Sequence, residues 1–141
     1  MDAQVIDELD ALNGSASFVP GSLQLLSWPA GSDPGNTSAV GGTRGTGLID
    51  IRNLDVAAFS EAVIQFEITL AAALNEGTVV ANQSALRDAG GALLLPSDDP
   101  FVNGSASPLV AGDEDPTRVL IELPDPSPLV KANTQDTASI G

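Results

Sequence analysis

The densest reactive groups in the chain are two acidic clusters, Ser97-Asp98-Asp99-Pro100 and Gly112-Asp113-Glu114-Asp115-Pro116. They flank one loop, so folding can gather Asp98, Asp99, Asp113 and Asp115 in one place. Calcium takes about six to eight oxygen ligands, and Asp-rich loops supply them. No spaced D-x-D-x-D-G loop is present, however, and Asp-Pro is equally turn chemistry, with Asp capping backbone N–H groups and Pro fixing φ. Both readings stand: Ca2+ is a candidate ligand at these four aspartates, and no cofactor is required.

Lys131 is the only side-chain amine. A strand Lys can be joined to an Asn when a buried carboxylate assists, and Asn82 with Glu67 or Asp50 is a candidate set. The ordinary reading is a solvated Lys, and an intact mass lower by one ammonia separates the two. Asp7, Glu8 and Asp10 supply the residue type for glycoside hydrolysis, which needs two carboxylates about 5 to 9 Å apart around a sugar. Nothing in the sequence organises them into a cleft, so they read as surface charges. Trp28 and Phe101 offer flat faces on which a sugar can stack, but with five aromatic residues in the chain they are expected in the core. The run Gly41-Gly42-Thr43-Arg44-Gly45-Thr46-Gly47 resembles a phosphate cradle but lacks the Gly-Lys-Ser/Thr ending and a following helix.

Other residue types are missing. The chain has no His, Cys or Tyr. A general base near neutral pH, a thiolate nucleophile, zinc–sulfur sites and disulfides are therefore excluded, and no enzyme is expected. With 19 acidic residues against five basic ones the formal charge is −14, which repels a phosphate backbone and anionic membrane surfaces. No nucleic-acid partner is expected. No apolar run approaches the ~20 residues that span a bilayer, so membrane insertion is not expected, and no signal peptide is visible after Met1.

The elements that would position these residues are short strands. Fourteen Gly and ten Pro among 141 residues argue against a helical bundle, while 43% apolar content is enough for a core. Ile64, Phe66, Ile68 and Leu70 alternate with Gln65, Glu67 and Thr69, the period of a half-buried strand. Val119, Ile121 and Leu123 repeat that pattern and predict a second one. Residues 77–86 and 91–95 read as a hairpin turning at Arg87-Asp88-Ala89-Gly90. Ser22 to Trp28 and Gly47 to Arg52 read as strands flanking a Gly/Ser-rich loop, residues 29–46. The first twelve residues suit a strand or, through Val5, Ile6, Leu9 and Leu12, a helix face. Three prolines in residues 124–128 make a linker, and Leu129-Val130-Lys131-Ala132 begins another strand. Spacing of this kind predicts an all-β, antiparallel β-sandwich of about seven to eight strands.

Four segments in order then carry a family resemblance: Phe18-Val19-Pro20-Gly21-Ser22-Leu23; residues 77–85; Ser97-Asp98-Asp99-Pro100; and residues 113–119. Over about residues 4–123 the chain resembles the conserved-repeat, immunoglobulin-like domain of bacterial surface proteins, a family named only as a domain of unknown function. The resemblance implies an immunoglobulin-like sandwich, a secreted or cell-surface location, and a structural or adhesive role. Its implied partners are neighbouring repeats, copies of itself, a glycan or a host surface.

One departure stands out. Family members begin with a strand like Pro128-Leu129-Val130-Lys131-Ala132, which here lies at the C-terminal end, and two strands that should follow it are absent. The expected organisation is therefore a sandwich over residues 1–123, a linker over 124–128, and residues 129–141 as the start of a following repeat or as a complementing strand. A sandwich lacking early strands exposes an apolar groove and unpaired edges that an extended segment can fill. Residues Leu129, Val130, Lys131 and Ala132 are the candidate assembly strand, in the same chain or in a neighbour. The alternative function is a calcium-dependent, glycan-binding domain.

Overall fold

The computed structural model describes residues 2–104, 110 and 112–123. Among them the chain is all-β, with one 3-10 turn. The strands are β1 (Ala3–Glu8), β2 (Ala16–Phe18), β3 (Gln24–Ser27), β4 (Leu48–Leu54), β5 (Val63–Gln65), β6 (Ile68–Leu70), β7 (Val79–Asn82), β8 (Ala85–Asp88), β9 (Leu93–Pro96) and β10 (Thr117–Leu120). A four-stranded antiparallel sheet has the order β4-β1-β8-β9, and three further pairs, β2-β6, β3-β5 and β7-β10, complete a sandwich-like arrangement.

β1 is central, and its inward positions are Ala3, Val5 and Asp7, at the period of two that a strand imposes. Opposite them on β4 stand Leu54, Ile51 and Ile49. Ile49 and Ile51 are two apart and share a face, but Leu54 is three further on and would point away. One extra residue on β4 between the pairs Val5–Ile51 and Ala3–Leu54 restores it to the core, with Asn53 in the left-handed region at φ 58°. After Glu8 the chain tightens into the 3-10 turn Leu9–Leu12, where residues three apart eclipse, so Leu9 and Leu12 both reach the interior. Asn13 at φ 54° ends it. The strand expectation therefore holds over Ala3–Glu8, and a helix face through Val5, Ile6, Leu9 and Leu12 does not form, since Val5 and Ile6 lie in β1 and only Leu9 and Leu12 in the 3-10 turn.

The core joins Ala3, Leu9, Leu12, Ala16, Phe18, Ile49, Ile51, Leu54 and Val80, with Phe66 meeting Phe18 edge-on at 6.1 Å between ring centroids. The hairpin expected around residues 87–90 is β8-β9. Asp88 closes it, its carboxylate accepting from the Gly90 and Ala92 amides. The loop over residues 29–46 is tied to β4 by antiparallel bridges, Asp33 to Arg52 and Ser38 to Leu48. It shelters Asp50, which is 3% exposed and accepts from Gln4 and Arg52. Burial works against the charge of Asp50, but those hydrogen bonds and the Arg52 charge outweigh it and hold the carboxyl below the usual range.

Two expected strands are corrected. The run from Ile64 to Leu70 is split at Phe66-Glu67, β5 pairing with β3 and β6 with β2, because the Glu67 amide donates to the Ser22 hydroxyl and its carbonyl accepts from Val19. Residues 77–86 are likewise broken at Gln83-Ser84, where the Gln83 side chain donates to the carbonyls of Ser97 and Glu114. Such breaks give ten shorter strands among the described residues. Ile64 and Phe66 pack on the core, whereas Ile68, Leu70, Val119 and Leu123 are 36%, 43%, 47% and 53% exposed. Of the second alternating run only Ile121 packs against the core. Residues 124–141, including the linker and the candidate assembly strand, lie outside the described residues.

Candidate functional site

The inward face of β1 ends on a carboxylate. Asp7 is 3% exposed, stands across from Ile49, and accepts a 2.6 Å hydrogen bond from the Asn82 side-chain amide on β7. The break after Asn82 matters here. β8 pairs with β1 only as far as Ile6–Ala85, and the chain then turns away, bringing Asn82 over Asp7. The second oxygen of Asp7 and the Oδ1 of Asn82 are both buried without a hydrogen-bond partner. An orphaned buried polar atom of this kind costs about 1–3 kcal/mol. Burial pushes the Asp7 carboxyl up, and the Asn82 hydrogen bond offsets only part of that. The folded chain thus binds this proton more readily than the unfolded one, and the contribution of Asp7 to stability falls as pH rises from the ordinary value through the raised one.

The pair lies at the floor of a groove of about 400 Å³. Phe66 and Ile68 line it from the β5–β6 segment, Val80 and Asn82 from β7, Thr117 and Val119 from β10, and Leu12 from the 3-10 turn. Asp98, Ser84 and Ser97 add polar atoms, and no basic side chain is among the lining residues. The exposure of Ile68 and Val119 has its cause here: both face a groove that the described residues leave uncovered. Among those residues β6 pairs only with β2 and β10 only with β7.

Sequence reasoning placed Asp7 with Glu8 and Asp10 on the surface, and this is corrected. Glu8 is exposed, Asp7 is buried, and Asp10 is half-buried with a separate task. Its carboxylate accepts from the amides of Thr43 and Arg44 and from the hydroxyls of Thr43 and Thr46. The Gly-rich run does cradle an anion, but the anion belongs to the chain itself. The Thr43 hydroxyl is the largest cause holding Asp10 below its ordinary value, and the other donors add to it against desolvation. A lowered carboxyl contributes stability that is present above the unfolded pKa and is lost as pH falls through the folded one. The Thr43 and Arg44 amide resonances are therefore expected to move together as the solution is acidified below about pH 4. In Asp10→Asn they should start displaced and show no such step.

The acidic clusters are brought side by side, as expected. The Asp99 amide donates to the Asp115 carbonyl, and the Asp115 amide to the Asp98 carboxylate. Asp99 then caps the Phe101 amide and Asp115 accepts from Asn103. Their carboxylates thus carry turn hydrogen bonds, and Asp113 lies in the same segment. Among the described residues no group of three or more acidic side chains is placed to hold a metal ion. Trp28 and Phe101, expected in the core, are 51% and 96% exposed. The carboxylates proposed beside Asn82 are also replaced. Glu67 is exposed, and Asp50 is occupied by Gln4 and Arg52; the acid that meets Asn82 is Asp7. One sequence signal could have found it, the alternation Ala3, Val5, Asp7.

Comparison with protein-family models, curated proteins and solved structures finds no match to this chain. Among the described residues no helix is long and apolar enough to cross a membrane.

Proposed function

We propose that this chain is an extracellular structural and adhesive module of a bacterial surface protein, an immunoglobulin-like sandwich completed by addition of a β-strand. The observation that carries this reading is a groove that the described residues leave uncovered, with apolar Phe66, Ile68, Val80 and Val119 along it and, among those residues, β6 paired only with β2 and β10 only with β7. An extended segment laid there would bury those side chains at about 25 cal/mol per Å² and pair free backbone groups. Residues Leu129–Ala132 have the composition of such a strand, and the four ordered segments of the conserved-repeat resemblance support the surface role. Its work is holding shape and joining copies or neighbouring repeats, not turnover. Removing residues 124–141 is expected to lower the melting temperature and to change the mass in solution. A truncated chain with both unchanged discards strand completion.

The competing reading, calcium-dependent binding of a glycan, has the adjacency of Asp98, Asp99 and Asp115 in its favour. Calcium titration followed by thermal melting tests it: a large rise in melting temperature supports an ion-organised site, whereas calcium-independent association supports strand completion.

A further inference from the structure

Asp7 and Asn82 meet through one hydrogen bond, 2.6 Å from the Asn82 Nδ2 to the Asp7 Oδ2, and each keeps its other oxygen buried without a partner. An amide oxygen only accepts, and so does an ionised carboxylate. Two buried acceptors on hydrogen-bonded neighbours are satisfied together by a single donor held between them. Both oxygens are closed off from solvent, and among the described residues lining the groove above them none is basic. The smallest donor that fits is a proton on Asp7 itself, because a protonated carboxyl gains an O–H while its other oxygen still accepts. The terminal torsions of Asp and Asn are broad, so the two groups can turn into one plane.

We propose that one proton, shared between Oδ1 of Asp7 and Oδ1 of Asn82, closes the pair into a reciprocal acid–amide ring, and that its loss as pH rises releases the β7–β10 pair from β1. The carboxyl O–H donates to the amide oxygen while the amide N–H donates to the other carboxyl oxygen, and neither residue keeps an orphan. Ionisation removes that donor, and two oxygens, one of them now charged, are left buried at the floor of the groove. The device needs no strand in the groove and is independent of strand completion.

The pair is placed to act as a clasp. β1 is bound on both edges by β4 and β8, while among the described residues β7 pairs only with β10. No ladder joins β1 to β7, and the hydrogen bond between Asn82 and Asp7 crosses between them.

The surrounding charges favour the proton. Asp98 is the other ionisable group lining the groove, and its like charge disfavours a second carboxylate. Basic groups stand elsewhere. On β4, Asp50 lies opposite Ile6 and so on the far face of the sheet, where Arg52 pairs with it. On β8, Arg87 lies opposite Gln4 on that same far face, and the Asp88 carboxylate closes its own hairpin. On β10, Arg118 falls between the groove-lining Thr117 and Val119 and points the other way. Glu8 and Glu67 are exposed, and Asp10 is held by Thr43 and Arg44.

Burial strengthens the hold of Asp7 on its proton, and the Asn82 N–H opposes this only in part. Below the ordinary carboxyl range folded and unfolded chains both carry the proton; from there up to the raised value only the folded chain does. Over that window this one group lowers the folded-to-unfolded ratio by up to about tenfold per pH unit, and above it the loss levels off.

The side-chain carboxyl carbon of Asp7 and the side-chain amide of Asn82, followed by NMR in the wild-type chain from about pH 3 to about pH 9, test the shared proton. Both should move with one midpoint above the ordinary Asp range. Asp7→Asn replaces the acid by an amide whose N–H makes the same ring at every pH. Its melting temperature should lie close to the wild type at about pH 4 and exceed it by a margin that grows with pH and then levels off. Above the midpoint, and at equal pH, the amides of β7 and β10 should exchange faster in the wild type than in Asp7→Asn, by about tenfold for each pH unit by which the midpoint is raised. A midpoint at or below the ordinary value, an Asn82 side chain that does not follow Asp7, or a margin that is constant with pH overturns the shared proton. Equal exchange in the two chains overturns the clasp. If Asp7→Asn fails to fold, the wild-type titration still decides the first point, and exchange at β7 and β10 that rises with pH no more than at β1 and β4 overturns the second.

Discussion

Gly47→Ala is expected to remove about 4 kcal/mol of stability and to lower the urea midpoint steeply. Gly47 sits at φ 115°, outside the regions open to L-residues, and its carbonyl accepts from the Leu9 amide at the turn out of β1. A methyl group built there would stand 2.6 Å from the Phe18 Cβ and 3.2 Å from the Ser38 carbonyl oxygen, with Leu9 at 3.5 Å. Neither nearby atom is the far end of a flexible side chain. One is a Cβ fixed by β2, the other the backbone oxygen that receives the Leu48 amide. Backbone strain of about 1–3 kcal/mol and overpacking of about 1–3 kcal/mol add to roughly 4 kcal/mol, a large part of the ~5–15 kcal/mol that holds a domain folded. Gly77 provides the control. It is also left-handed, at φ 79°, but nothing lies within 4 Å of its would-be Cβ, so Gly77→Ala should lose only about 1–2 kcal/mol. Urea denaturation of the two variants beside the wild type measures the difference. Equal midpoints would mean that Phe18 and Ser38 can withdraw and that this corner is soft.

Ile51→Ala should cost nearly as much, about 3–5 kcal/mol, and without any backbone strain. Ile51 has no exposed surface, faces Val5 across the β1–β4 ladder, and sits in the middle of the core. Its removal leaves a cavity ringed by strands that cannot close, since β1 is held on both sides by β4 and β8. Leu70→Ala, also a β-branched or leucine truncation on a strand, should cost under about 1 kcal/mol because Leu70 is already 43% exposed. Thermal melts of both variants decide whether the centre of this protein is the β1–β4 face. A larger loss at Leu70 would place it instead along β6.

That contrast marks how far the sequence could be read. Alternation in Ile64 to Leu70 and in Val119 to Leu123 located strands, and it marked Ile68 and Val119, which both line the groove. It did not give their burial, because burial depends on whether another segment lies opposite, and among the described residues none covers that part of the groove. The hairpin at Asp88 was legible for a local reason: its turn is closed by hydrogen bonds from residues two and four positions away.

The candidate site was not legible in the same way. Asp98 and Asp115 came together as their flanking of one loop implied, yet the Asp98 carboxylate accepts from the Asp115 amide and the Asp115 carboxylate from the Asn103 side chain. Asp7 looked like its neighbours Glu8 and Asp10, and three acidic residues in four positions read as a solvated patch. Their fates diverge through contacts made 33 to 75 residues away, with Thr43 for Asp10 and Asn82 for Asp7.

Composition and short-range pattern alone determined the all-β class, the turn residues and the exclusion of His, Cys and Tyr chemistry, because each is a property of single residues or of neighbours along the chain. The burial of Asp7, its meeting with Asn82 and the open groove above them were decided only by tertiary structure. Each depends on which strand lies beside which: alternation with Ala3 and Val5 marks the face on which Asp7 stands, but not the segment that comes to lie over it.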